Sequence, residues 1–351
     1  MMGDTVGIAI VGYGLAGRYY HAPFIRRCPD LRVVAIMTRS AERAEQARRD
    51  FPEAALYGRY EDLLADKAVD LVDLATPHDT HEPLCLEALK AGKHVITDKI
   101  MAVDAAGAER MIAAAQQADR LLTVYQNRRW DCDFLTACRA VADGLLGEVW
   151  SVEVAVDNYR APTDAWRWHR AHGGGRFRDW GAHLFDQALL FAGAPTADGV
   201  QVWADWQYRY PQTDVETEVL THLVFPSGLR YTIHLSAQQR VERLERRIVG
   251  SKATLVMKGI DPQERYVRGE GMKVVSGTEE AKLPPENVQF EADDAAMGER
   301  LVVEPGNWVA LWENLADVLL RGAELAVKPE QVLESLRLID RAASFDPGPL
   351  S

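Results

Sequence analysis

A chain of 351 residues, 47% hydrophobic and 26% charged, is longer than one hydrophobic core ordinarily serves and too apolar for disorder, so two domains are expected. Its 40 Lys and Arg against 52 Asp and Glu leave a net charge of −12, which repels phosphate backbones and anionic lipid and argues against nucleic acid or membrane as a partner. The opening MMGDTVGIAIVGYG has no basic leader and no apolar run is long enough to span a bilayer, so the expected compartment is the cytoplasm. Cys28, Cys85, Cys132 and Cys138 lack CxxC spacing and read as reduced packing residues.

In chain order, short β-branched runs at 6–12 (VGIAIVG), 31–37 (LRVVAIM), 69–75, 94–98 and 121–125 alternate with helical segments near 15–27, 40–50, 79–91 and 104–118. Strand, crossover helix, strand, repeated in this way, predicts an α/β fold with a doubly wound parallel sheet. Beyond residue 130 the pattern changes to a helix at about 130–144, the strand SVEVAVD, a glycine loop and a helix carrying Asp179 and His183. The segments VQVWADWQY, ETEVLTHLVF, LRYTIHLSA and ERRIVGSKATLVM then predict a large, mainly antiparallel open sheet, hence a C-terminal α+β domain. Ser276 to about Gly306 reads as a loop, and amphipathic helices near 307–321 and 329–344 close the chain. The domain boundaries follow as 1–128 for dinucleotide binding and 129–351 for substrate binding and assembly, with room for the last helices to pack back on the first domain.

Directly after the first strand stand Gly12, Tyr13, Gly14, Leu15, Ala16 and Gly17. Glycines there permit a tight turn and let the backbone approach a pyrophosphate at the positive end of the following helix. At the end of the second strand an NAD enzyme usually carries a carboxylate for the ribose hydroxyls, but this chain has Met37, Thr38, Arg39 and Ser40, with Arg43 one turn on. Arg39 suits a 2′-phosphate, which favours NADP over NAD; the alternative is that Arg39 and Arg43 only solvate a helix start. Lys99 follows the strand ending at Asp98, at the carboxyl edge where open α/β sheets bind ligands.

The glycine motif, TPHDTH (76–81), AGKHVITDK (91–99) and GGGRFRDWGAH (173–183) together resemble the glucose-fructose oxidoreductase/inositol dehydrogenase (Gfo/Idh/MocA) family. The resemblance covers nearly the whole chain, and HAPF, YQNRRWDCDFLT and VKPEQVLESLRLIDRA bring it closest to the NADP-dependent scyllo-inositol dehydrogenase branch. It implies an N-terminal Rossmann domain, a C-terminal sheet domain, oxidation or reduction of hydroxyls on sugars and polyols, and a homodimer or homotetramer built on the second-domain sheet. It also implies that Lys99, Asp179 and His183 share the catalytic site, and that Thr76, Pro77, His81, Asp98 and Asn127 border the cofactor. Arg128 is implied at the substrate, and Asp186 is expected to be structural. The chain departs from the family's Glu-Lys-Pro at Asp98-Lys99-Ile100, which shortens the acid and removes the fixed φ of proline.

The residue types suit hydride transfer, in which the hydroxyl proton must be taken as hydride leaves the carbinol carbon. His183 is the candidate base, Lys99 the stabiliser of a developing alkoxide, and Asp179 a partner for a substrate hydroxyl or for the imidazole one helical turn away. Tyr159, Trp166 and Trp168, in a loop with Arg160, Arg167, His169 and Arg170, suit sugar CH faces and hydroxyls, the alternative being that the tryptophans anchor the loop. His172, His183 and Asp186 lack metal-ligand spacing, and His21 and His78 receive no role. Two other functions fit the motifs less closely: a redox-neutral glycoside-processing enzyme with tightly held cofactor, and a cofactor-sensing regulator without turnover.

Overall fold

The structure, a computed structural model, describes residues 5–258, 261, 263, 287–292 and 301–349. The chain divides into two units. Among the described residues, the first comprises 5–127 and Asn307–Leu333, and the second comprises the remainder.

The first unit is a six-stranded sheet in the order β3-β2-β1-β4-β5-β6. Its strands are β1 (Val6–Val11), β2 (Leu31–Met37), β3 (Ala55–Tyr57), β4 (Leu71–Leu74), β5 (His94–Thr97) and β6 (Leu122–Val124), all paired in parallel. Every residue of β1 and β4 is buried, the condition of a parallel strand covered on both faces, and this is why each reads as an unbroken apolar run. The crossovers carry α1 (Ala22–Arg27), α2 (Ala41–Asp50), α3 (Tyr60–Ala65), α4 (His81–Lys90) and α5 (Ala105–Ala118). The segment Ala16–His21, expected as plain helix, is a wider π-turn leading into α1. Strand order reverses between β1 and β4, which opens a crevice beyond their carboxyl ends, where ligands of such sheets bind. Neither β3 nor α3 was expected, because a three-residue strand and a six-residue helix carry too little periodicity to register.

The second unit carries α6 (Cys132–Ala142), β7 (Val149–Asp157), α7 (Arg176–Phe191), β8 (Gln201–Gln207), β9 (Glu218–Val224), β10 (Arg230–Ser236), β11 (Arg246–Gly250), β12 (Ala253–Lys258) and β13 (Asn287–Ala292). These strands form one sheet in the order β13-β12-β11-β7-β10-β9-β8, antiparallel throughout except where β10 meets β7. The α/β reading of the first domain and the mainly antiparallel α+β reading of the second both hold. Two details are corrected. ERRIVGSKATLVM is a hairpin, β11 and β12, turning at Ser251 and Lys252, because alternation continues across the turn and hides it. The stretch from 276 to 306 was expected to be loop, yet it contains β13, whose polar sequence NVQFEA forms the edge strand and pairs along β12. Residues 301–306 are irregular, and the rest of that stretch lies outside the described residues.

Helix α7 packs against β10 and buries ten of its sixteen residues. Its start is set by Gly175, at φ 105°, a conformation that favours glycine. A side chain there would lie 2.6 Å from Glu216 Oε2, while Glu216 Oε1 accepts the Phe177 N–H at 2.7 Å. Helix α8 (Val309–Arg321) belongs to the first unit, where it packs on α1 and β1. Helix α9 (Pro329–Ala343) follows it.

Candidate active site

The glycine motif is shaped by close backbone approach. A Cβ on Gly12, whose φ is 97°, would meet Ala75 O at 2.3 Å, and one on Gly17 would meet Gly12 O at 2.1 Å. At Gly14 the nearest neighbour is instead the Arg43 guanidinium, 3.5 Å from where a Cβ would stand. The cradle is therefore tight against the sheet at Gly12 and Gly17 and roofed by a cation at Gly14, which fits a dinucleotide pyrophosphate. Leu15 is exposed and Ala16 half-buried beside it. Arg39 and Arg43 are both exposed, and neither guanidinium has an ion-pair partner among the described residues. Thr38 Oγ1 accepts the Ser40 N–H at 3.3 Å and Ser40 Oγ the Arg43 N–H at 3.4 Å, so this turn is held by its own hydroxyls.

Beyond β4, Thr76 and Pro77 are half-buried, and Thr80 Oγ1 donates to Thr76 Oγ1 at 2.7 Å. His81 is fully buried, its Nδ1 2.7 Å from Ile100 O and its Nε2 3.0 Å from Thr76 O, so it ties the loops after β4 and β5 together. Asp98 and Lys99 stand at the carboxyl end of β5, and Asp98 Oδ1 accepts the Lys99 N–H at 2.8 Å. The Lys99–Ile100 peptide bond is cis.

In the second unit, Asp179 and His183 share one face of α7. His183 is buried, at 4% exposure. Asp179 is half-buried with Arg167 Nε 3.6 Å from its carboxylate, which places a guanidinium of the WRWHR loop beside the acid.

Residues 6–126 match the family described as "Oxidoreductase family, NAD-binding Rossmann fold", and residues 134–256 match the GFO/IDH/MocA C-terminal domain. The chain belongs to the Gfo/Idh/MocA oxidoreductase family. It is 32% identical over 350 residues to the oxidoreductase YdgJ of Escherichia coli (strain K12), covering 97% of this chain and 96% of that one. It is 30% identical over 344 residues to scyllo-inositol 2-dehydrogenase (NADP(+)) IolW of Bacillus subtilis (strain 168), covering 97% and 93% respectively. The structure of the oxidoreductase yvaA from Bacillus subtilis aligns with TM-score 0.88 at 27% identity, over 97% of each chain.

As a member of Gfo/Idh/MocA the chain is an NAD(P)-binding oxidoreductase, and the remaining expected site residues take these places. Asn127 is buried in the turn that follows β6. Arg128 is buried, with Nη1 2.9 Å from Asp131 Oδ2 and its guanidinium 4.3 Å from the Trp180 ring centre, so its charge is already balanced. Arg129 grips Asp186 with two hydrogen bonds of 2.8 and 2.7 Å. Tyr159 is exposed beneath the Arg240 guanidinium at 3.8 Å, and Trp166 is half-buried under Arg167 at 4.4 Å. Trp168 is buried with Val215 and Ala237, and its carbonyl accepts the Thr213 hydroxyl, so it anchors the loop. No helix among the described residues is long and apolar enough to cross a membrane.

Sequence reasoning passed over His21, whose ring is fully buried with Nδ1 donating to Asp73 Oδ1 at 2.8 Å. A signal was present: an acid inside the buried run VDLVDLA requires a partner. Reading along the chain does not say which residue supplies it.

Proposed function

We propose that this chain is an NADP-preferring dehydrogenase or reductase that moves hydride between the nicotinamide and a carbinol or ketone carbon of a sugar, glycoside or cyclic polyol. The observation that carries the reading is Lys99 at the carboxyl end of β5, on the same edge of the sheet as the Gly12–Gly17 cradle after β1. Gly12, Gly14, Gly17, Arg39, Arg43 and Thr76 would hold the cofactor. When bound, the nicotinamide supplies the hydride acceptor, or the donor in reverse. His183, buried on α7, takes the hydroxyl proton as general base. The Lys99 ammonium stabilises negative charge developing on the same oxygen. Asp179 orients the substrate hydroxyl or the His183 ring, one turn along the helix.

Support for NADP comes from two exposed arginines after β2 that have no ion-pair partner among the described residues, and from IolW, a scyllo-inositol 2-dehydrogenase (NADP(+)). Polar side chains of the Tyr159–Arg170 loop suit a polyhydroxylated substrate. Assembly as a homodimer or homotetramer through the sheet is supported by exposed Trp203, stacked on His222 at 5.5 Å between ring centres.

The test is growth of the reduced-nicotinamide absorbance with inositols, aldoses and glycosides, in NADP⁺ and NAD⁺ in parallel. Turnover of one substrate, lowered at least ~100-fold in His183→Ala with cofactor affinity unchanged, is the expected result. A flat trace across the panel, from protein shown to bind cofactor, would refute it.

A further inference from the structure

A group of buried charges lies beneath Lys99, within the first unit. His21, at the end of the π-turn, is wholly buried, with the Tyr125 ring 4.0 Å away and Trp312 of α8 5.9 Å away between ring centres. The Tyr125 hydroxyl donates to Tyr20 O. Two carboxylates face the imidazole, Asp73 from β4 at 2.8 Å from Nδ1 and Asp98 from the end of β5 at 3.8 Å from Nε2. The other charged or titratable neighbours among the described residues include Tyr125 and His81 of α4, which act on both acids, and Lys99, which acts on Asp98.

The geometry favours a charged ring. With Nδ1 donating to Asp73, a neutral imidazole would turn the lone pair of Nε2 toward the Asp98 carboxylate. A protonated Nε2 instead gives each acid a positive partner, as buried carboxylates require. Among the described residues Nε2 has no hydrogen-bond partner, and Asp98 Oδ1 stands at ion-pair distance from it. Oδ1 of Asp98, the atom facing Nε2, is also the atom that accepts the Lys99 N–H.

We propose that His21 is a positioning residue for Lys99: clamped by Asp73, its imidazolium holds Asp98 Oδ1 against the Lys99 N–H and so orients the backbone from which the lysine side chain leaves the sheet edge. Its relevance to turnover rests on the reading of Lys99 given above. Titration agrees with the geometry. Burial alone would lower the His21 pKa, but Asp73 and then Asp98 carry it up to about 10. Burial would raise Asp98, yet His21 first, then Lys99 and His81, hold it below the usual carboxylate range. Asp73 goes the other way, because its burial, with the Asp98 charge, outweighs His21 and His81.

The test is residue-resolved amide hydrogen exchange on the full chain at pH 8, comparing wild type with His21→Asn and Asp73→Asn. The Lys99 N–H is expected to exchange at least ~10-fold faster in both variants, while Val95 and Ile96 of β5 keep their protection. An unchanged Lys99 rate in either folded variant overturns the proposal, and if His21→Asn fails to fold, Asp73→Asn decides alone. With a substrate in hand, the variants are expected to lower kcat about 10-fold at nearly constant KM, and this loss should vanish in a Lys99→Met background. An equal loss in that background overturns the link to Lys99. A flat substrate panel would count against the enzymatic reading alone, since the exchange measurement stands without turnover.

Discussion

Glu216 supports a pH prediction that follows from its place beneath α7. It is 6% exposed, and its Oε1 accepts the Phe177 N–H. Burial raises its pKa from 4.5 to about 7, and the Phe177 hydrogen bond offsets only part of that. Because the folded value lies above the unfolded one, the folded chain binds more protons between pH 4.5 and 7, and stability falls with rising pH across that window. The stabilisation by the neutral form is whole below pH 4.5 and lost above about 7. A shift of this size corresponds to about 3 kcal/mol. Glu216→Gln keeps the shape and the acceptor without the charge. Relative to wild type, the variant is expected to gain stability steadily from pH 4.5 to 7 and to keep a constant advantage of up to about 3 kcal/mol above it. Chemical denaturation of both proteins at a series of pH values gives the difference directly, with the other titrating groups cancelling. A difference independent of pH would show that Glu216 is ionised in the fold at no cost, and would refute the reasoning.

Two predictions concern the cofactor cradle. Gly17→Ala places a Cβ 2.1 Å from Gly12 O, so the turn must open, and NADP affinity is expected to fall at least ~100-fold, or about 3 kcal/mol. Titration of reduced cofactor fluorescence measures it, and an unchanged Kd would show that the turn does not contact the cofactor. Arg39→Ala combined with Arg43→Ala is expected to weaken NADP about 10-fold or more and leave NAD within about 2-fold, since only the 2′-phosphate distinguishes them. Equal losses for both cofactors would remove these arginines from phosphate recognition.

The first unit was legible because its signals are local. Buried parallel strands are apolar along their whole length, and the Gly12–Gly17 turn joins strand to helix within six residues. The four-residue spacing of Asp179 and His183 likewise places both on one face of α7 without reference to any other element. Elements whose existence depends on a neighbour were not legible: β3 is held by pairing with β2, and β13 by pairing with β12. The anchoring of Trp168 against Val215 and Ala237 belongs with these, since exposure is decided by what folds over a side chain.

The sequence by itself thus determined the sheet and the cradle, since each follows from the period or spacing of nearby residues, whereas the grouping of Lys99, Asp179 and His183 is what the family resemblance implies. Only the tertiary structure decided that His21 reaches Asp73 across 52 residues, and that Glu216 caps the helix beginning 39 residues earlier near Phe177. Such partners are chosen by strand order and register, which bring distant carboxylates and donors within 3 Å; no local pattern encodes that choice.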